Sequence, residues 1–155
     1  MTYGLFKAIT TGLLTGDIVL PQNPDVLKGL MQYALTTVAT QADSLHLMTL
    51  STAADVLRLA SGDYLIRVPA VPLVDEDILD IDEELTFAVA RYLASYLSKE
   101  KGGIHVNAAD RIIKDYNAKT WEILDQMQKE AMLAGLPPVI DGQEVLTEAS
   151  TEFIL

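Results

Sequence analysis

The chain has 155 residues, half of them hydrophobic, with 11 basic and 22 acidic side chains for a formal net charge of -11. One domain with a packed core fits that length and composition, burying roughly 70% of the unfolded surface. The acidic balance, with a pI near 4.4, argues against a protein that grips nucleic-acid phosphates, and the lack of cysteine excludes disulfides, thiolate zinc sites and cysteine nucleophiles.

No run approaches the ~18 apolar residues of a membrane helix. The opening segment, MTYGLFKAITTGLLTG, has no charged n-region and no clear small-x-small cleavage site, so the chain reads as soluble and unprocessed.

Within residues 2–15, Leu5, Phe6, Ile9 and Leu13 recur at helical spacing. Gly4, Gly12 and four threonines weaken that helix in isolation, so it needs a partner surface. Asn23 followed by Pro24 is a helix-start signal, the Asn capping and the Pro at the first helical position. Leu27, Leu30, Met31, Ala34 and Val38 then form one stripe, predicting a helix over 24–41.

The period changes after residue 44. Leu45, Leu47 and Thr49 alternate onto one face, offering a third strand at 45–50 beside a β-hairpin. The hairpin pairs 56–60 with 64–68 around Ser61-Gly62-Asp63, and Pro69 and Pro72 stop it.

Residues 75–84 hold seven acids in ten positions. A calcium loop starting at Asp75 fails, because Leu79 and Asp80 fall where an oxygen ligand and the turn glycine belong. Acids ahead of a helix cap it and complement its dipole, with Asp80 and Glu83 spaced as a capping-box variant. Leu85, Ala88, Val89, Tyr92, Leu93 and Tyr96 predict a helix over 82–100, ended by Gly102-Gly103. From His105, the residues Ala109, Ile113, Tyr116, Thr120, Ile123 and Met127 recur at spacings of 4, 3, 4, 3 and 4. That narrow seam predicts a second long helix, closing an antiparallel αα-hairpin against Leu85, Val89, Tyr92 and Tyr96. Gly135-Leu136-Pro137-Pro138 ends it.

The fold class is therefore mainly α: a helical bundle with a long antiparallel αα-hairpin, a small β-hairpin, and an extended C-terminal arm. The domain covers 1–135 and the arm 136–155. The arm carries Val139, Ile140, Val145, Leu146, Phe153, Ile154 and Leu155 among polar and acidic residues, too sparse for a core of its own and suited to a partner groove.

No catalytic, cofactor or metal pattern is present. His46 and His105 stand alone as ordinary surface or partly buried histidines, and neither a nucleophile elbow nor a phosphate-binding glycine loop occurs. Tyr92, Tyr96, Tyr116 and Trp121, at helical spacing, fill a core or a subunit contact, with Trp121 at its edge.

The order of elements carries a resemblance. The hairpin closes on Tyr64-Leu65-Ile66-Arg67-Val68-Pro69-Ala70-Val71-Pro72. An acidic loop leads into Ile81-Asp82-Glu83-Glu84-Leu85, and the helix contains Ala90-Arg91-Tyr92-Leu93-Ala94. Across about residues 24–133 this resembles the head-to-tail connector (adaptor, head-completion) proteins of tailed bacteriophages. The resemblance implies a non-catalytic, cofactor-free homo-oligomer, a ring of about twelve copies closed by heterologous contacts. Such a ring sits below the portal protein, prolongs the DNA channel without binding DNA specifically, and meets a downstream tail or stopper protein. It implies a virion location, with assembly in the host cytoplasm, and a C-terminal segment docked on the portal. Asp75, Glu76 and Asp77 are then candidates for subunit contacts or the channel wall. The other reading of the residues is a small helical protein–protein adaptor or regulator outside any virion.

Overall fold

In the computed structural model of the chain, residues 1–49, 55–60, 65–99 and 101–134 are described, with side chains through residue 126. The expected turn at 61–63 and the whole arm 136–155 lie outside the described residues, with Val139, Ile140, Val145, Leu146, Phe153, Ile154 and Leu155 among them. The described residues form four helices and a three-stranded antiparallel sheet, so the fold is mainly α with a long helix pair, as expected.

Helix α1 (Tyr3–Leu13) starts at Thr2, whose Oγ1 accepts the Leu5 N–H at 3.3 Å. Its buried stripe is Tyr3, Phe6 and Thr10, with Ile9 and Leu13 packed at the margin. Leu5, expected on that stripe, is 52% exposed. Tyr3 sets the face, and Leu5 lies about 100° of helix rotation from Phe6, which turns it outward. Thr10 is tolerated in the core because its hydroxyl donates to the Phe6 carbonyl at 2.9 Å. Helix α2 (Pro24–Gln41) begins as the Asn-Pro signal predicts, with the Asn23 side chain accepting the Asp25 N–H at 2.9 Å. It buries Leu27, Met31, Ala34, Leu35, Val38 and Ala39.

Strands β1 (Met48–Thr49), β2 (Val56–Leu59) and β3 (Leu65–Arg67) lie in the order β1-β3-β2. The central strand β3 pairs antiparallel with both neighbours, Ile66 facing Met48 on one side and Arg58 on the other. The hairpin and the third strand are therefore both present. The third strand is shorter than expected, because Ser44 folds 45–47 into a turn: its carbonyl and its Oγ each accept the Leu47 N–H at 3.2 Å. Leu47, Met48 and Ile66 are fully buried and join the helical core.

Helix α3 (Glu83–Leu97) packs against α1, α2 and α4 (Gly102–Ala134). It is central and buries eight residues, including Leu85, Val89, Tyr92 and Leu93. Two expectations need correction. Gly102-Gly103 does not end α3, which stops at Leu97; the two glycines open α4 instead. A Cβ on Gly102 would stand 3.1 Å from the Ser95 carbonyl oxygen, so this glycine lets the two backbones approach closely. The seam holds at Ala109, Ile113, Tyr116 and Thr120, all buried, but then moves: Ile123 is 44% exposed and Leu124 is fully buried. A straight α-helix drifts about 20° per heptad from a 3.5-residue repeat, so a strict 4-3-4-3 count falls short along α4 and the buried position moves on by one residue.

Candidate functional site

The acidic loop between β3 and α3 is built into the fold by specific partners. Asp80 sits at its centre. Both terminal nitrogens of Arg67 donate to its carboxylate at 2.5 and 2.7 Å, His46 Nε2 lies 2.8 Å away, and the Ala70 N–H donates at 2.8 Å. Burial works against ionising Asp80, yet the Arg67, His46 and Ala70 hydrogen bonds outweigh it and hold its pKa well below the ordinary carboxylate value. The same contact raises the pKa of His46, against the opposing effect of burial. Asp80 is thus no capping-box residue. Asp82 takes the N-cap position of α3, and it makes no side-chain capping bond.

Asp82 is instead spent on tertiary contacts. It accepts from the Ser44 hydroxyl, from the Tyr116 hydroxyl at 2.7 Å and from the His46 N–H at 3.3 Å. Tyr116 in turn accepts the Leu45 N–H at 3.0 Å. Burial first, then the Asp82 carboxylate, pushes the Tyr116 pKa far up, so the phenol stays protonated and donates. A second node forms where α2 ends. Arg58 Nε donates to the Ala39 carbonyl at 3.0 Å, and its Nη2 donates to the Ala42 carbonyl at 2.6 Å and to Asp43 at 3.0 Å. No basic residue lies in the last turn of α2, so Arg58 supplies from β2 the positive charge that a helix C-terminus favours. Trp121 Nε1 donates to the other Asp43 oxygen at 3.0 Å, and the indole is partly buried at the core edge, one of the two places its position beside the seam allowed, the other being an interface. Asn117 completes the node, donating to the Gln41 carbonyl and accepting the Asp43 N–H.

The tyrosines of α3 pack in the core and at its margin. Tyr92 donates to Asp110 at 2.5 Å and accepts from Gln41 at 3.0 Å; burial, then Asp110, pushes its pKa up to about 12. Tyr96 donates to Thr37, and its ring centroid lies 5.1 Å from that of Tyr33. His105 is buried beside Arg91, 3.1 Å away, and burial followed by that positive charge lowers its pKa.

Asp75, Glu76 and Asp77 form a turn that clasps the start of α1. The Asp75 and Asp77 carbonyls accept the Gly4 and Tyr3 N–H groups at 3.0 and 2.8 Å, and Ile78 bridges Thr2. The Asp75 carboxylate pairs with Lys7 at 2.6 Å, and Asp77 Oδ2 accepts the Leu73 and Val74 N–H groups. Glu76 is exposed. Of the candidate acids, Asp77 is therefore occupied within the loop, while Asp75 and Glu76 reach solvent.

Among the described residues, no group of three or more His, Asp or Glu is arranged to hold a metal ion, and no helix is long and apolar enough to cross a membrane. The polar cluster does mechanical work. It fastens β2 and β3 to the end of α2, the start of α3 and the middle of α4 through carboxylates whose oxygens already carry donors. Asp80, held well below the ordinary carboxylate value, is a poor proton acceptor at pH 7. Counting acids ahead of a helix missed this cluster. Its signal lay in the strands, where Arg58 and Arg67 interrupt apolar alternation and each needs a carboxylate. No protein-family model matches the chain, and neither a curated protein nor a solved structure matches it.

Proposed function

We propose that the chain is a structural connector of a tailed bacteriophage, a subunit of a ring below the portal that prolongs the DNA channel and joins head to tail. The observation that carries this reading is the architecture: four helices beside a small sheet that contains the β2–β3 hairpin, in keeping with the mostly helical bundle with a small β-hairpin that the resemblance implies. The short phrases behind the resemblance also converge in space. Arg67 of the hairpin phrase meets Asp80 of the acidic loop, and Asp82 of the helix start lies beside His46, which contacts Asp80.

A ring needs two different sticky faces on each subunit, because its contacts are heterologous. Ile104 and Ile123 are 65% and 44% exposed on α4; at 1.5 Å per residue they stand about 28 Å apart along the helix. The net charge of -11 suits a channel wall over which DNA slides without sticking. Glu76, exposed and in no ion pair among the described residues, is the acid placed to face that channel or a neighbouring subunit, while Asp75 does so only alongside its partner Lys7. In this reading the partners are further copies of the chain, the portal, and a tail or stopper protein. The arm 136–155 docks on the portal, and no catalysis or cofactor is involved.

Electron microscopy of purified particles, with the chain tagged, tests the reading: density at the portal vertex is expected. Deleting 136–155 should abolish attachment while leaving helicity nearly intact. A monomer or dimer absent from particles would replace the connector reading with that of a small helical adaptor.

A further inference from the structure

A cleft of about 630 Å³ opens where the first turns of α1 and α2 face the loop that follows β3. Its size falls within the ~300–1,000 Å³ typical of ligand clefts. The lining is largely apolar: Tyr3, Leu27 and Pro72 are buried, and Leu20, Pro21 and Leu73 stand around them. Leu73 is 71% exposed. Two lysines flank the cleft. Lys7 is held by Asp75 and lies 4.8 Å from the centroid of the Tyr3 ring. Lys28 has no carboxylate within salt-bridge distance among the described residues. Asp25 is the single acid among the lining residues. An apolar floor with one lysine at its edge outside any ion pair suits an apolar peptide that carries an acid next to its apolar residues.

The chain contains such a peptide. Residues 144–155 read Glu-Val-Leu-Thr-Glu-Ala-Ser-Thr-Glu-Phe-Ile-Leu, with three glutamates and no lysine or arginine. We propose that the cleft takes the segment 152–155 of the same chain, with Phe153, Ile154 and Leu155 against the apolar floor and Glu152 toward Lys28. Reach permits it. Seventeen residues, 135–151, join Ala134 to Glu152; at ~3.3 Å each they span at most roughly 56 Å, more than the ~50 Å length of α4 at 1.5 Å per residue. Tethering permits it too, because a short linker presents its end at roughly millimolar effective concentration, so even a weak contact is filled. The last three apolar residues of the arm are thereby covered before any partner is met. The assignment does not rest on the connector reading; in that reading, the portal competes with the cleft for the same arm.

The absence of native cysteine allows a direct test. In the full chain, Gln22→Cys at the cleft edge is paired with Thr151→Cys, and disulfide formation under mild oxidant is followed on non-reducing gels and by mass. A second pair, Asn107→Cys with Thr151→Cys, probes an exposed site on α4. An intramolecular bond is expected in the first pair, forming at least about tenfold faster than in the second and at a rate independent of protein concentration. Adding Phe153→Ser or Lys28→Glu should each slow it about fivefold or more. Equal rates for the two pairs, or a rate unmoved by either added substitution, would overturn the assignment. Bonds formed only between copies would also overturn it, and would assign the cleft to another chain's arm.

Discussion

Arg67 and Asp80 meet through two parallel hydrogen bonds, Nη1 to Oδ2 at 2.5 Å and Nη2 to Oδ1 at 2.7 Å. The pair ties the central strand to the loop that delivers α3, so the placement of sheet against helices depends on it. Both side chains are mostly buried, 26% and 20% exposed, and removing one partner strands the other's charge. Asp80→Asn should cost about 2–4 kcal/mol in urea unfolding. The pH dependence follows from a folded pKa below the unfolded one. The unfolded state then binds the proton more readily, so the contribution is complete above roughly pH 4 and is lost as pH falls through the folded pKa. That acid slope should shrink in Asp80→Asn; an unchanged slope would place the acid sensitivity elsewhere.

The two histidines should titrate on opposite sides of the ordinary value of 6.5. His46 is raised by its bond to Asp80, and His105 is lowered by burial and by Arg91. A raised folded pKa stabilises below the unfolded value and loses that effect as pH climbs through the folded one, so His46 and His105 act in opposite senses. Titration followed by nuclear magnetic resonance separates them. In Asp80→Asn the His46 midpoint should fall while His105 stays in place. If His46 does not move, its contact with Asp80 is not what raises it.

Much of this architecture is legible in the sequence, for identifiable reasons. Asn23-Pro24 marks the start of α2 because both residues act locally, and the stripe from Leu27 to Val38 shows because α2 packs one face along its length. What escaped was tertiary. Nothing near Asp80 in sequence reveals that Arg67 and His46 will consume its oxygens, so a local capping rule claimed it. Leu5 looks like a core residue until Tyr3 fixes which face of α1 turns inward. The glycine pair 102–103 looks like a stop, because its actual use, the approach of α4 to Ser95, requires the neighbouring helix. Of the candidate site, the acidic loop was visible as a run of charge and its partners were not.

The Tyr116 hydroxyl donates to Asp82 and accepts the Leu45 N–H. Tyr116→Phe keeps the ring but takes the partner from the Leu45 N–H and leaves Asp82 Oδ2 with the His46 N–H alone, at a partly buried site. The cost should be about 1–3 kcal/mol. Helicity should be retained, since α4 keeps its backbone bonds. A loss below about 0.5 kcal/mol, the scale of a neutral surface change, would show that water replaces the hydroxyl freely.

Adjacent glycines at the start of α4 should respond differently to alanine. At Gly103 a Cβ meets nothing within 4 Å, whereas at Gly102 it would stand 3.1 Å from the Ser95 carbonyl oxygen. Gly103→Ala should stabilise by up to about 1 kcal/mol through helix propensity. Gly102→Ala gains the same propensity but must push α3 and α4 apart, so it should fall below Gly103→Ala in melting temperature. Equal gains at both positions would mean that the helices separate there without cost.

The register of α4 can be tested at two consecutive residues. A 4-3-4-3 count puts Ile123 in the seam; the fold instead leaves Ile123 44% exposed and buries Leu124 completely. Leu124→Ala removes buried methyl groups and leaves a cavity, at a cost of about 2–5 kcal/mol. Ile123→Ala should cost well under that, and even Ile123→Asp should stay within about 1 kcal/mol, as at other surface sites. Ile113→Asp, further up the same seam at 4% exposure, should cost about 3 kcal/mol or more, because it puts a carboxylate among apolar groups. The ratio between Leu124 and Ile123 is the informative quantity. A seam that kept the 3.5-residue repeat would reverse it, making Ile123 the costly position and Leu124 the tolerant one. If Ile123→Asp proves tolerated for folding yet changes the sedimentation of the chain, the exposed side of α4 is also where copies meet.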